Sequence, residues 1–160
     1  MADESLRCYG NPKADRLVLQ LVDEHDLSLM EHETSLVSDY LASTDFALVA
    51  LPVKDWFQDL TPWEAPAVFG KQVFGKGATQ TLERLLTVQL PECFQAMPDT
   101  EKHVYLCGYS LSGLFALWSA YQTDRFEGIV AASPSVWYPS WIDYVQHHLI
   151  RTKRVYLSLG

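Results

Sequence analysis

Residues 103–113 have the sequence HVYLCGYSLSG, and this stretch decides the fold class. Its first five residues form an apolar run that predicts a buried strand, and the apolar segment at residues 112–121 predicts a helix. The glycines at positions 108 and 113 predict a sharp connection between the two. The stretch therefore predicts a strand–turn–helix unit with Ser110 at the carboxyl end of the strand.

Apolar runs of strand length also precede and follow this unit, with helical patterns between them. The runs cover residues 17–22, 46–53, 128–132 and 154–159. The helical patterns cover residues 28–41, where Ser28 and Glu31 match a capping box, residues 79–90, which Pro91 stops or kinks, and residues 141–150. Apolar strands that alternate with helices indicate a parallel sheet covered on both faces. We therefore predict an α/β fold with a parallel sheet of about five strands and flanking helices.

The chain has 160 residues, a length typical of one domain, so we expect residues 1–160 to form a single domain. Hydrophobic residues make up 48% and charged residues 20%, a balance that excludes a wholly disordered chain. The formal net charge of -8 disfavours binding to nucleic acid and to anionic membrane surfaces, because both are negatively charged. We expect neither as a partner.

Signals for targeting and for metal binding are weak. The acidic start at residues 1–5 is not typical of a secretory signal, and no apolar run approaches the roughly 18 residues of a membrane span. Cys8, Cys93 and Cys107 show no C-x-x-C spacing, which argues against a disulfide framework and against a zinc site. We therefore expect reduced cysteines, no bound metal and a cytoplasmic location.

The turn at residues 108–113 is close to the G-x-S-x-G pattern, which presents a serine nucleophile on a strained turn between a strand and a helix. The positions two before and two after the nucleophile must be small, and Gly108 and Ser112 meet this demand. Ser112 itself is the weaker candidate, because Leu114 would then occupy a position that needs a small residue. We predict Ser110 as the nucleophile, with a positive φ.

A serine nucleophile also needs two donors for the oxyanion and a general base. The backbone N–H of Leu111, directly after the nucleophile, is predicted as the first donor. The second is predicted in the loop after the first parallel strand, at the backbone N–H of Val22 or of Asp23. The side chains of Asp23 and Asp26 are better explained as a turn and a helix cap.

Three segments carry a resemblance to a known family. They are GYSLSG at residues 108–113, IVAASPSVWYPSW at residues 129–141 and LVLQLVDEHDL at residues 17–27. Together they resemble esterases of the α/β-hydrolase fold, and within that fold a bacterial branch that includes enterochelin-esterase-like and esterase-D-like proteins. The resemblance implies a serine hydrolase that cleaves small-molecule carboxylic esters through an acyl-enzyme, without a cofactor.

The resemblance also implies a catalytic acid and a histidine that follow the strand at residues 154–159. Both would lie beyond Gly160, so we expect a domain that is incomplete at its carboxyl end and poorly active by itself. Asp143 and His147 can contact each other at i and i+4 but lie on a flanking helix, and His25 precedes the serine. The alternative is a non-catalytic α/β-hydrolase-like binding domain or an inactive remnant.

The loop after the next strand opens on the same edge of the sheet as Ser110. Ser133, Ser135 and Trp137 of this loop are therefore predicted near the nucleophile, together with its neighbour Tyr109. Trp137 is interpreted either as a pocket wall or as a plug in the core.

Two further segments predict surface features. Residues 54–76 are long for a connection and rich in aromatic side chains, which favours an ordered loop packed over the sheet edge, with some rings available to wall a pocket. The strand at residues 154–159 would be an edge with unpaired backbone groups, and we expect self-association through it.

Overall fold

A six-stranded sheet forms the centre of the computed structural model, which describes residues 6–43, 45–97 and 101–160. The strands are β1 (Arg7–Gly10), β2 (Arg16–Val22), β3 (Ala47–Pro52), β4 (His103–Tyr109), β5 (Gly128–Ala132) and β6 (Val155–Ser158). They lie in the order β1-β3-β2-β4-β5-β6, in which β1 is antiparallel to β3 and the other neighbours are parallel. The predicted α/β fold with a mostly parallel sheet is confirmed.

Helices cover both faces of this sheet. They are α1 (Glu24–Leu41), α2 (Trp56–Asp59), α3 (Ala78–Arg84), α4 (Leu90–Ala96), α5 (Leu111–Gln122) and α6 (Trp141–His147). Successive side chains of a strand point to opposite faces, and two apolar clusters result. Leu19 and Val49 belong to the larger cluster together with α5, whereas Leu48 packs with Met30 of α1 in the smaller one. Helix α5 is buried from Leu111 through Ala120, as expected of a helix that is apolar on all sides.

Strand β1 is the element that the sequence pattern does not predict. It has the sequence RCYG, is mostly exposed and pairs with β3 at the edge of the sheet. A short edge strand of this kind has no continuous apolar run, so its position depends on pairing with a strand that is distant in sequence.

Helix α1 begins at Glu24, well before the predicted capping residue Ser28. Asp23 is the N-cap, and its carboxylate accepts a hydrogen bond from the Asp26 N–H at 2.8 Å. The Ser28 hydroxyl donates to the His25 carbonyl at 2.6 Å. The capping-box prediction at Ser28 is therefore wrong, and the cap predicted for Asp23 is confirmed.

The helix predicted over residues 79–90 continues past Pro91 into α4. A π-helical turn at Leu85–Gln89 joins α3 to α4, and the Leu90 N–H donates to the Leu85 carbonyl. Pro91 then lies in the first turn of α4, where a missing N–H is tolerated. The wider turn moves the preceding carbonyl groups, which would otherwise clash with the proline ring.

Candidate active site

Ser110 lies between β4 and α5 with φ 57° and ψ −119°, a conformation that residues with a Cβ rarely adopt. Its N–H donates to the Ala132 carbonyl at 3.2 Å. Its carbonyl accepts hydrogen bonds from the N–H groups of Leu114 and Ser135, each at 3.0 Å. The predicted strand–turn–helix unit and the positive φ of Ser110 are confirmed, and the serine lies at the carboxyl end of β4.

Small residues on either side make this turn possible. A Cβ at Gly108 would overlap the Ser112 carbonyl oxygen, and a Cβ at Gly113 would lie 3.1 Å from Pro134. The Ser112 hydroxyl accepts a hydrogen bond from the Tyr109 N–H at 2.8 Å and donates to the Tyr109 carbonyl at 2.9 Å. The side chain of Ser112 therefore closes the turn, which explains why serine is accepted where the pattern has glycine.

Ser135 brings a second hydroxyl to the turn. This residue is 1% exposed, and its Oγ lies 3.4 Å from Ser110 Oγ. Within the described residues, Ser110 Oγ is the hydrogen-bond partner of this buried hydroxyl. Ser133 instead has φ 41° and donates its N–H to the Ser158 carbonyl at 2.7 Å, next to β6. The sequence contains no signal that ranks Ser135 above Ser133, because the path of the turn decides which hydroxyl reaches Ser110 Oγ.

The predicted oxyanion donors lie on two neighbouring elements. The first backbone hydrogen bond of α5 runs from Leu114 to Ser110, so the helix does not require the Leu111 N–H. Val22 is fully buried at the end of β2, and Asp23 follows it as the cap of α1. Because β2 and β4 are paired in parallel, the start of α1 and the start of α5 open on the same edge of the sheet. The Asp23 carboxylate is the N-cap of α1 and accepts the capping hydrogen bond. The roles of Leu111, Val22 and Asp23 as backbone donors to the oxyanion stay predictions.

Aromatic side chains flank the loop after β5. Trp137 is 44% exposed, and its ring meets Phe69 edge-on with 5.2 Å between centroids. The ring centroids of Phe74 and Trp137 are 6.0 Å apart. The neighbouring residue Tyr138, and not Trp137, is buried in the core. Trp137 is therefore not the core plug, and its role as a pocket wall stays a prediction, as does that of the exposed Tyr109.

The segment at residues 54–76 is ordered against this same loop. The Trp63 Nε1–H donates to the Pro139 carbonyl at 2.9 Å, and the Tyr138 hydroxyl donates to the Trp63 carbonyl at 2.5 Å. Ala65 and Phe74 form an antiparallel bridge within the segment. The prediction of an ordered loop is confirmed, and the contacts above place it against the loop after β5.

Within the described residues, no histidine or carboxylate is hydrogen-bonded to Ser110 Oγ. His147 Nδ1 lies 2.7 Å from the Asp143 carbonyl oxygen and 3.6 Å from its carboxylate, and both side chains are exposed on α6. His25 is exposed at the start of α1.

Burial raises the pKa of the Cys107 thiol in β4 to about 11, so this group is protonated at neutral pH and is a poor nucleophile.

Metal ligands, membrane spans and thiols can be assessed for residues 6–43, 45–97 and 101–160. In these ranges no group of three or more His, Cys, Asp and Glu side chains could hold a metal ion. No helix there combines the length and the apolar character needed to cross a membrane. Cys8, Cys93 and Cys107 are free thiols.

A comparison with protein-family models supplies the decisive finding. The family described as "Esterase: Putative esterase" matches residues 10–160. The chain belongs to this esterase family. A comparison with curated proteins finds no match.

Solved structures with the same fold include several hydrolases. Siderophore hydrolase EstA from Aspergillus nidulans has a TM-score of 0.67 and 25% identity, and the match covers 84% of this chain and 50% of that one. An IroE-like serine hydrolase from Shewanella oneidensis has a TM-score of 0.70 and 18% identity, over 88% of this chain and 50% of that one. The BES protein from Bacillus cereus has a TM-score of 0.68 and 15% identity, over 97% of this chain and 69% of that one.

The esterase-family chain thus spans about half the length of the first two of these proteins. The similar structures come from a fungus and from bacteria, so membership of the family does not establish the predicted bacterial source.

Proposed function

We propose that this chain carries the nucleophile of a serine hydrolase that cleaves carboxylic esters of small molecules, and that Ser110 is this nucleophile. The observation that carries the proposal is the backbone of Ser110, which has φ 57° at the junction of β4 and α5. Membership of the esterase family supports it, as does the 25% identity to a protein named siderophore hydrolase. Free thiols at Cys8, Cys93 and Cys107 support the cytoplasmic location that we propose with it.

In the proposed reaction, Ser110 Oγ forms a bond to the ester carbonyl carbon while a base removes its proton. The negative charge moves to the carbonyl oxygen, to which the Leu111 N–H and a backbone N–H at Val22 or Asp23 donate hydrogen bonds. The carbon–oxygen bond to the alcohol then breaks, and the protonated base returns its proton to the departing alkoxide. Water attacks the acyl-enzyme by the same route, which releases the acid and restores Ser110.

The base and its orienting carboxylate are proposed to come from outside residues 1–160, as the resemblance implies. This proposal agrees with the contacts of Ser110 Oγ, whose hydrogen-bond partner within the described residues is Ser135. Loss of the base typically lowers the rate by several orders of magnitude but leaves weak catalysis from the remaining site.

Labelling with a fluorophosphonate probe tests the proposal. We expect slow covalent labelling of the purified chain, faster labelling when imidazole is added as an external base, and modification of Ser110 by peptide mass spectrometry. Ser110→Ala should abolish labelling, whereas the matched variant Ser133→Ala should keep it. Absence of labelling in both the presence and the absence of imidazole would reject Ser110 as the nucleophile.

The second candidate is a non-catalytic binding domain, which the absence of a histidine partner for Ser110 within the described residues favours. This candidate predicts that ester analogues bind to the wild type and to Ser110→Ala with the same affinity, and that neither protein is labelled. The same labelling experiment therefore separates the two functions.

A further inference from the structure

A cavity of about 210 Å³ lies at the carboxyl ends of β2 and β3, apart from the Ser110 turn. Its floor includes Leu21 and Leu51, and its walls come from the loop after β3 and from the α3 segment. The polar side chains that line it are Lys54, Gln58, Asp59, Gln80, Thr81, Arg84 and Gln89. A small, partly open cleft with an apolar floor and several convergent polar groups is typical of a ligand subsite.

The charges of this cavity favour an anion. Lys54 and Arg84 supply two positive charges, and Asp59 supplies one negative charge. The Asp59 carboxylate accepts a hydrogen bond from the Asp55 N–H at 3.1 Å. Lys54 already interacts with another group of the protein, so the cation that the lining offers to a ligand is the Arg84 guanidinium. Within the described residues, the side chain of Arg84 has no hydrogen bond or ion pair with protein groups, so its guanidinium can donate to a ligand.

The π-helical turn at Leu85–Gln89 contributes to this arrangement. Arg84 lies directly before the turn and Gln89 lies at its end, and both line the cavity. The extra width of a π-helical turn changes the angular spacing of side chains along the helix, and such turns are frequent at functional sites. The turn that accommodates Pro91 thus also decides which polar side chains of this helix reach the cavity.

A larger groove of about 930 Å³ connects this cavity to the loop that precedes α1. The two spaces share five lining residues, which are Pro52, Val53, Lys54, Arg84 and Gln89. The groove also reaches Asp23, whose backbone N–H is a predicted oxyanion donor. Because β2 is the neighbour of β4 and β3 is the next strand, the cavity begins one strand spacing from β4 and extends to two strand spacings, which is about 10 Å.

We propose that the cavity at Arg84 binds a terminal carboxylate of the ester substrate, so that the substrate is an ester with a free carboxylate about two strand spacings from the carbonyl that Ser110 attacks. This inference rests on the proposed function for its reaction, but not for the binding itself. The groove holds the chain that joins the two groups. Bidentate hydrogen bonds from the Arg84 guanidinium bind the carboxylate, and the Gln80 and Gln89 amides provide further donors.

Binding of two matched esters tests this inference in the Ser110→Ala variant, which removes the proposed nucleophile. The probes are monomethyl suberate, which has a free carboxylate, and dimethyl suberate, in which that carboxylate is methylated. Affinities are measured by NMR titration. We expect monomethyl suberate to bind at least tenfold more tightly than dimethyl suberate, and this difference to decrease in high salt because the attraction is electrostatic.

Substitution of Arg84 then locates the site. Arg84→Gln should remove the preference for the free carboxylate, and Arg84→Lys should retain part of it because the positive charge is kept. Arg125→Gln is the matched control. Arg125 is also exposed, but it precedes β5 and therefore lies at the amino ends of the parallel strands, whereas the cavity lies at their carboxyl ends. Thermal unfolding of each variant verifies its folding.

Equal affinity for the two esters, or an unchanged preference in Arg84→Gln, would overturn the inference. Competition with small anions gives a further test. If inorganic phosphate displaces monomethyl suberate and acetate does not, the site selects phosphate rather than carboxylate, and the inference is overturned. Labelling of Ser110 without Arg84-dependent binding would leave the proposed function intact and reject only the subsite. Arg84-dependent binding without labelling of Ser110 would support the subsite and reject the proposed function.

Discussion

The backbone of Ser110 occupies a conformation that costs about 1–3 kcal/mol for a residue with a Cβ. Its hydrogen bonds to Ala132, Leu114 and Ser135 oppose this cost, at about 1 kcal/mol for each bond. The close approach at Gly108 is a second condition, because the Ser112 backbone occupies the space that a side chain would need. The conformation of the turn therefore depends on these three hydrogen bonds and on the missing side chain at Gly108.

Gly108→Ala should destabilise the protein by about 3 kcal/mol, because its methyl group would overlap the backbone of Ser112. Gly70→Ala is the matched control: Gly70 has φ 65° but nothing lies within 4 Å of its added Cβ, so it tests backbone strain alone. Urea unfolding measures both. Similar losses in the two variants would contradict the packing role of Gly108.

Ser135→Ala should slow fluorophosphonate labelling of Ser110 about threefold to tenfold, the effect of one lost hydrogen bond of about 1 kcal/mol. The Ser135 N–H still donates to the Ser110 carbonyl, so the turn should keep its conformation. Ser119→Ala is the control, because its buried hydroxyl donates to the Phe115 carbonyl inside α5, away from Ser110. Unchanged labelling in Ser135→Ala would show that its hydroxyl does not position the nucleophile.

At the scale of an element, Asp23 at the start of helix α1 combines an observed role with a predicted one. The Asp23 carboxylate caps the helix. Its backbone N–H is one of the two alternatives predicted for the second oxyanion donor. These two roles are separable, because a side-chain substitution removes the cap and leaves the N–H in place.

Asp23→Ala should lower the free energy of unfolding by about 1 kcal/mol, the usual effect of a lost N-cap. Asp23→Asn should restore most of this stability, because asparagine caps as well as aspartate. The labelling rate of Ser110 in the folded protein should stay close to that of the wild type in both variants. Urea unfolding and labelling are measured on the same samples. An Asp23→Ala variant with the same free energy of unfolding as the wild type would show that the cap does not stabilise α1.

Strand β6 is the feature that matters at the scale of the whole molecule. It lies at the edge of the sheet, and Val155, Tyr156 and Leu157 are 40%, 61% and 46% exposed. Strand β5 pairs with one side of the β6 backbone, and within the described residues no strand pairs with the other side.

We therefore predict that the isolated chain self-associates through β6. Tyr156→Lys should reduce association, because a charged side chain on an edge strand opposes pairing with another strand. Tyr40→Lys is the control, since Tyr40 is an exposed aromatic residue on α1, which is not at this edge. Sedimentation velocity over a range of concentrations measures the effect, and equal association in the two variants would exclude β6 as the interface.

The sequence alone determined the fold class, the parallel strands and the position of Ser110 on a strand–helix turn. These features are local: apolar runs, helical spacing and the small residues of GYSLSG act over a few neighbouring positions. The start of α1 was predicted at the wrong residue, because Asp23 and Ser28 both fit a cap and only the packed helix shows which one is used.

Only the tertiary structure decided which distant residues meet. The pairing of β1 with β3, the 3.4 Å approach of Ser135 Oγ to Ser110 Oγ and the cavity beside Arg84 all join segments that are far apart in the chain. Such contacts depend on strand order and on the path of each loop, which no local pattern encodes. The position of Ser110 on its strand–helix turn could therefore be predicted from its neighbours in sequence, whereas its surroundings required the fold.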